Sequence, residues 1–393
     1  MSSVHPPLAD VRRSLRVRWY RSPIEPAVLR RLMQRSDLRG AFQAVGHLAL
    51  AAGTGVLTWY LFSQRLWVAC ALAFLLHGGV TSFFSSGCHE LDHGTVFRTK
   101  RLNRLFLRVY GVLAWFNFHD YALSHTYHHR YTLHPDGDRE VELPKTPSLR
   151  FLYLLQLCTI SITGGFESKG LIPLLRTTVG TALGTFPRRG VESSPETTGP
   201  NSEEWVRALY DAHPEERAKS VRWARITLLF HAAVTVAGIA SGLWLLPLLV
   251  SFPIFFGNIW KYFVGAPMHC GLRDNVPDFR KCVRTITLDP LSTFVYWRMN
   301  RHMEHHMYAG VPCYNLRELS RTIAGDLPEP RTLMGAWREM RATWKRQQTE
   351  PDYQYDTPVP THGIVGSAPA RDDDGLGASI GDLAPGILAR AGA

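Results

Sequence analysis

Two long stretches of the chain contain no charged side chain. The first runs from Gly40 to Gln64 and resumes after Arg65, from Leu66 to Cys88. The second runs from Ile226 to Trp260. A helix rises about 1.5 Å per residue, so roughly twenty residues cross a bilayer core of ~30 Å. The hydrophobic pattern therefore predicts a membrane protein.

Each stretch is long enough for two helices. The second one contains Ser241 and Gly242 near its middle, followed by Pro247 and Pro253, which supply turn and kink chemistry. We therefore predict an all-α integral membrane protein with four transmembrane helices in two hairpins, over about 40–64, 66–86, 223–241 and 243–264.

The polar segments divide the rest of the chain. Residues 1–39 form a basic N-terminal segment, and 40–345 form the membrane domain. Within that domain, 186–220 is rich in Pro, Ser, Thr and Glu and predicts a loop, with a short helix around Glu203 to Ala212. Residues 346–393 change to Pro, Gly, Asp and Ala, a composition that cannot bury a core, and predict a disordered tail.

The net charge is +11, but the basic residues flank the spans and are not interleaved with aromatics on a soluble module, which disfavours nucleic acid as the partner. Nine arginines precede the first span, while the turn between the first two spans has only Arg65. By the positive-inside rule the N-terminus is cytoplasmic, and two hairpins return the other long segments to that side. The six cysteines form no C-x-x-C pair and suit reduced, mostly buried thiols.

Three short blocks, HELDH, HTYHH and HMEHH, contain eight of the seventeen histidines. These are His89, His93, His125, His128, His129, His302, His305 and His306. A lone histidine is more often a satisfied core residue than a ligand. Residues three or four apart share one helix face, so each block offers two or three converging imidazoles. We predict a metal centre in a helical cap on the cytoplasmic side.

The number of imidazoles favours two metal ions. A tetrahedral zinc site needs about four ligands, so eight nitrogens are a surplus for one ion. His269, just past the predicted fourth span, is a ninth candidate, although a histidine that only caps the end of that span would look the same. Imidazole binds iron, zinc, copper and nickel, so the histidines alone do not select the metal.

The words around the blocks resemble the membrane fatty acid desaturase superfamily. They read SSGCHELDHGTVF, SHTYHHRYTLHPDGDRE and NRHMEHHMYAGVPCYNLREL. The second word is similar to the H-x-x-H-H-x-x-T…D-x-D pattern of that superfamily, with Thr132, Asp136 and Asp138 in place. The third departs from it, because Ala309 stands where proline is common. The resemblance extends from about Gly40 to Ile323.

This resemblance implies a non-haem di-iron centre that uses O2 and two external electrons to attack an unactivated C–H bond. The eight block histidines match its ligands, and His269 resembles the additional ligand that desaturases supply before the last block. The chain has no room for its own electron-transfer domain, so a ferredoxin or a small haem protein with its reductase is the expected donor. The basic surface suits an acidic partner.

An all-imidazole shell leaves uncompensated positive charge, so carboxylates should orient the rings and offset it. The candidates are Asp92, Asp136 and Asp138, with Glu90 and Glu304, which are as well explained as solvated acids on a helix face. Asn258 could hold a metal-bound water, or could be satisfied within the helix bundle.

The leading prediction is an acyl-lipid desaturase that introduces a C=C bond. A hydroxylase, or an enzyme for a carotenoid, sphingoid base or small amino-acid-derived compound, shares the same histidine spacing and stays open. A metal transporter or membrane zinc hydrolase is a remote alternative. Transport sites usually lie near the bilayer midplane, whereas these blocks lie beyond the span ends.

Overall fold

The computed structural model describes residues 5–141, 146–163, 170–185 and 203–360, and these are mostly helical. The helices are α1 (Leu8–Ser14), α2 (Pro26–Leu32), α3 (Asp37–Ser63), α4 (Trp67–Ser82), α5 (Phe84–Asp92), α6 (Lys100–Leu113), α7 (Phe118–Tyr131), α8 (Phe151–Cys158), α9 (Leu171–Leu183), α10 (Glu203–Ala212), α11 (Pro214–Ala240), α12 (Leu245–Val250), α13 (Ile259–Gly265), α14 (Phe279–Cys282), α15 (Pro290–Val295), α16 (His302–Met307), α17 (Leu316–Thr322) and α18 (Leu333–Gln347). Strands β1 (Ile286–Thr287) and β2 (Arg331–Thr332) pair in parallel. Short 3₁₀ turns lie at Pro253–Phe255, Cys313–Asn315 and Ala324–Asp326.

Three helical stretches of the described chain are long and apolar enough to cross a membrane: Asp37–Ser63, Trp67–Asp92 and Pro214–Ala240. The first two pack as the predicted hairpin, closed at Arg65, whose φ of 57° lets the chain reverse within a few residues. Their outer faces expose large apolar side chains such as Val56, Val68 and Leu72, as expected of helices that face lipid.

A continuous fourth span over 243–264 is not found. The segment consists of α12, the 3₁₀ turn at Pro253–Phe255 and α13. Pro247 is accommodated in the first turn of α12, but Pro253 lacks the N–H that helix continuation requires, and Gly257 adopts a φ of +61°. A Cβ on Gly257 would lie 2.2 Å from the carbonyl oxygen of Leu75, so the broken segment passes directly against α4. Hydropathy alone cannot reveal such a break.

The loop and the tail differ from their predicted bounds. Helix α10 spans Glu203–Ala212 as predicted, but α11 begins at Pro214, so the end of the predicted loop is helical. Residues 186–202 lie outside the described part of the chain, as do 361–393 of the predicted tail. Residues 348–360, the described part of the predicted tail, contact the rest of the protein, since the Tyr355 N–H donates to the Gly271 carbonyl.

The turn that leads into α16 ties the third histidine block to the membrane hairpin. Trp297 and Arg298 both have positive φ, 53° and 62°, a conformation that costs free energy in residues with a side chain. Trp297 Nε1 donates to His47 Nδ1 over 3.0 Å, and the Arg298 guanidinium donates to the side-chain carbonyl of Gln43. These contacts with α3 hold the strained turn in place.

Candidate metal centre

The three histidine blocks lie on three short helices that meet at one point. HELDH lies on α5, with His93 as its C-terminal cap, HTYHH occupies the second half of α7, and HMEHH lies on α16. His269 lies in the turn after α13, where its Nε2 is 3.0 Å from Nε2 of His302. All nine predicted ligands therefore come together.

Five of the nine form one group. Their ligand-forming nitrogens lie within 4.8 Å of one another, and the members are His89, His93, His125, His129 and His305. The Nε2 atoms of His89 and His305 are 2.9 Å apart, and those of His125 and His129 are also 2.9 Å apart. Their side chains converge from α5, α7 and α16, so this group joins distant parts of the sequence.

The other four histidines form a second group, with members His128, His269, His302 and His306. All four are buried. The Nε2 atoms of His302 and His306 are 3.1 Å apart. The second and third blocks are each divided between the two groups, because adjacent helical residues such as His128 and His129 project about 100° apart.

The spacing of these nitrogens fits two bound metal ions. Ligands at right angles around an ion with metal–nitrogen bonds of ~2.1 Å lie about 3 Å apart. The observed separations of 2.9 to 3.3 Å match that edge. Two neutral imidazoles hydrogen-bonded through a single pair of nitrogens would not place four or five such atoms around one point. The donor set is therefore compatible with two ions, one in each group.

Burial also sets the charge of the rings. Desolvation and the neighbouring imidazoles lower the pKa of His125, His129, His302, His305 and His306 well below its ordinary value. Burial, with His128 nearby, lowers the pKa of His93 to about 3. The rings are consequently neutral at physiological pH, which is the form that binds a metal.

Asp138, one of the carboxylates expected near the rings, contacts a histidine of the second group. Its Oδ2 accepts from His128 Nδ1 over 2.9 Å and from the Leu133 N–H over 2.8 Å, and its Oδ1 accepts from the Glu140 N–H over 3.0 Å. Burial alone would raise the pKa of this carboxyl, but the His128 ring and the donated hydrogen bonds hold that pKa below its usual value. An ionised carboxylate then fixes Nε2 of His128 as the ligand atom.

Two further rings of the second group have neutral partners. His269 Nδ1 is 3.0 Å from the carbonyl oxygen of Cys282, which fixes its proton on Nδ1 and leaves Nε2 for a metal. Nδ1 of His306 is 3.1 Å from the hydroxyl of Thr132. Thr132 also donates to the His128 carbonyl, so this residue of the second word links the two helices that carry His128 and His306.

Tyr121 was not predicted, yet its hydroxyl lies 2.8 Å from Nδ1 of His89 and 3.1 Å from Nδ1 of His125. The side chain also stacks on the His125 ring, with centroids 4.7 Å apart. Two of the predicted ligands, one on α5 and one on α7, thus share one phenol oxygen. The signal available in the sequence was its position four residues before His125, on the same face of α7.

Carboxylates near the first group come from Glu140 and Glu90. Glu140 Oε1 is 3.5 Å from Nδ1 of His125, and Glu90 Oε1 is 3.5 Å from Nδ1 of His305. Both are buried. Glu140, the last residue of the second word, was not among the predicted carboxylates, because nothing local in the sequence indicates that its side chain contacts a ring. Glu304 points elsewhere, towards Thr285, which donates to it, and Arg301 at 3.5 Å.

The remaining candidates stand apart from the rings. Asp136 is exposed and lies 3.7 Å from Nδ1 of His5. Asn258 is buried at the start of α13, where its carbonyl accepts from the Tyr262 N–H. Asp92 is the last residue of α5, directly before His93, and is partly buried.

Comparison with known proteins adds an independent result. The family model described as fatty acid desaturase matches residues 65–337, which is more than half of the chain. All nine histidines and Asp138 fall within that range. A search among curated proteins finds no match. The chain belongs to the fatty acid desaturase family.

Proposed function

We propose that this protein is an oxygen-dependent di-iron desaturase that introduces a C=C bond into an acyl lipid. The observation that carries the proposal is the arrangement of nine histidines, most of them buried, in groups of five and four, in the described part of a chain of this family. An octahedral ion has about six coordination positions, and the two groups supply five and four imidazoles. Each ion would therefore keep at least one position open for O2.

With two iron ions bound, the centre would use O2 and two electrons to attack an unactivated C–H bond. The protein's own side chains hold and tune it. Neutral imidazoles supply the ligands, while Asp138, Glu140 and Glu90 offset the charge of the ions. Tyr121 and Thr132 orient rings on the two sides. Burial of most of these histidines limits the access of water to the ligand atoms and strengthens these electrostatic contacts.

Membrane location supports a lipid substrate. Three candidate spans bring the site close to a bilayer, and the basic N-terminal segment favours a cytoplasmic site by the positive-inside rule. We infer that the electrons come from a separate ferredoxin, or from a small haem protein with its reductase. The broken segment 243–264 would complete the second hairpin if it crosses the membrane as the fourth span. Cysteines introduced on either side of it, labelled with a reagent that cannot cross the membrane, would test this topology.

The test uses the full chain expressed in cells whose lipids are then analysed by mass spectrometry. Desaturation predicts new lipids lighter by two hydrogens and dependent on O2. His305→Ala should abolish them while membrane insertion is kept, and Asp136→Asn serves as a matched control because its carboxylate is exposed and away from the rings. A fully active His305→Ala protein would refute the assignment of this ligand.

The same analysis separates the alternatives. A product that gains one oxygen would identify a hydroxylase, and oxidation confined to carotenoids, sphingoid bases or amino-acid-derived compounds would exclude an acyl-lipid desaturase. Metal analysis of the purified protein should find about two irons per chain. One zinc without iron would instead support a zinc hydrolase or transporter.

A further inference from the structure

A short stretch of the N-terminal segment, Trp19 to Ser22, lies over the second histidine group. The indole of Trp19 stacks on the ring of Phe279, with centroids 4.1 Å apart and planes 9° apart. Phe279 in turn contacts the ring of His306, with centroids 5.6 Å apart. Phe279 is fully buried, whereas Trp19 is partly exposed. Two ring contacts therefore connect the protein surface with a candidate metal ligand.

Hydrogen bonds fix this stretch on the elements that carry the site. Trp19 Nε1 donates to the carbonyl of Arg130 over 2.9 Å, directly after the second block. Arg21 Nε donates to the carbonyl of Met307 over 2.8 Å, directly after the third. The Tyr308 hydroxyl donates to the carbonyl of Ser22 over 2.6 Å. Trp19 is consequently held in one position against Phe279.

The chain that leads to Trp19 is basic. Arg12, Arg16 and Arg18 precede it and are exposed. Among the ion pairs between described residues, no carboxylate is joined to any of these three, whereas Arg13 pairs with Asp10. Exposed arginines with no acidic partner create a positive potential that attracts a negatively charged protein and orients its approach.

We propose that this surface docks an acidic one-electron carrier protein and that Trp19 and Phe279 form the route for electrons to the second histidine group. The proposal rests on the proposed function, because it needs a redox-active metal there. One electron leaves the reduced carrier and reduces one metal ion, and the oxidised carrier dissociates. Two such transfers supply the two electrons of one turnover, and no covalent bond is formed or broken in either.

Distance is the physical reason for this route. The rate of electron tunnelling falls exponentially with the separation between donor and acceptor. A carrier that docks on Trp19 places its cofactor two ring contacts from His306, whereas the ligand itself is 3% exposed and cannot be touched directly. The family match begins at residue 65, so this surface lies outside the part of the chain that matches the family.

The experiment uses the iron-loaded full chain in nanodiscs and follows reduction of its metal by rapid mixing. The probes are a reduced acidic [2Fe–2S] ferredoxin and dithionite, a small reductant that can reach the first group at the partly exposed His129. Trp19→Leu should slow reduction by ferredoxin without changing reduction by dithionite or the iron content. Trp19→Phe, which keeps a stacked ring, should recover most of the rate. Trp244→Leu is the control, since this exposed tryptophan lies just after the C-terminal end of the third candidate span, Pro214–Ala240.

A second variant tests docking without disturbing the stack. Arg16→Glu with Arg18→Glu should lower the second-order rate with ferredoxin about tenfold at low ionic strength, and salt should remove the difference. The proposal is overturned if Trp19→Leu loses iron or slows both reductants equally, since its role is then structural. It is also overturned if the charge reversals weaken only binding to anionic vesicles. Failure of the proposed function would differ: the wild-type metal accepts electrons, but no lipid is oxidised.

Discussion

Asp138 provides the sharpest test of the second histidine group. Its two buried oxygens accept three hydrogen bonds, from His128, Leu133 and Glu140. In Asp138→Asn one oxygen becomes an NH2 group, which cannot accept. In the less costly orientation of the new asparagine side chain, its carbonyl oxygen faces His128 and Leu133, and the Glu140 N–H loses its acceptor. An unsatisfied buried donor costs about 1–3 kcal/mol, so we expect the free energy of unfolding to fall by about that amount.

The effect on metal affinity should be separate from the effect on stability. Loss of a carboxylate that orients a metal-binding histidine typically costs about 10–100-fold in affinity. We expect Asp138→Asn to release one of the two irons at a lower chelator concentration than the wild type while the other stays bound. Competition with a chromophoric chelator in nanodiscs measures this, and thermal unfolding gives the stability. Asp136→Asn is the control and should stay within about 0.5 kcal/mol of the wild type. Retention of both irons with unchanged affinity in Asp138→Asn would refute the reasoning.

Three further outcomes are expected. Tyr121→Phe should weaken iron binding in the first group about 10–100-fold, because two rings lose their shared partner. Tyr127 lies on the same helix, but its hydroxyl is 3.3 Å from Nε2 of His213, so Tyr127→Phe should not weaken iron binding. Equal losses of iron affinity in both variants would contradict the role of Tyr121 in supporting the two rings. The metal-free protein should lose stability as pH falls below about 6.5, because histidines of the unfolded chain then bind protons while the buried histidines of the folded protein stay neutral. The free energy of unfolding should fall by up to ~1.4 kcal/mol per histidine and pH unit. Denaturant titrations between pH 5 and 7.5 measure the slope of the free energy of unfolding against pH. His302→Gln should reduce that slope by the contribution of about one proton. A free energy of unfolding that does not change with pH would exclude buried neutral rings. Finally, His128→Ala should leave the protein with less than two irons by metal analysis, and a full complement would remove His128 from the ligands.

The convergence of the nine histidines could be predicted because helical spacing is a local property of the sequence. Which histidines share a group could not, since membership depends on how α5, α7 and α16 cross. His128 and His129 are neighbours in the chain and belong to different groups. Tyr121 and Glu140 were missed for the same reason, because a hydroxyl or carboxylate reveals its partner only once the helices are packed.

The membrane part shows the opposite limit. Composition predicted the first hairpin, since a run of apolar residues is itself the physical requirement for a span. The segment 243–264 is also largely apolar, but Pro253 interrupts its backbone after α12 and Gly257 turns it against α4. Whether a proline kinks a helix or ends it depends on what the neighbouring helix offers, which the sequence does not state.

The division of the ligands also has a consequence for how the protein is made. Each group combines residues of the second block with residues of the third, which ends at His306. A ribosome must therefore have synthesised the chain beyond that position before either group is complete. Metal loading is then a late event in biogenesis, which follows synthesis of every candidate span, and a chain truncated before the third block would reach the membrane unable to form either group.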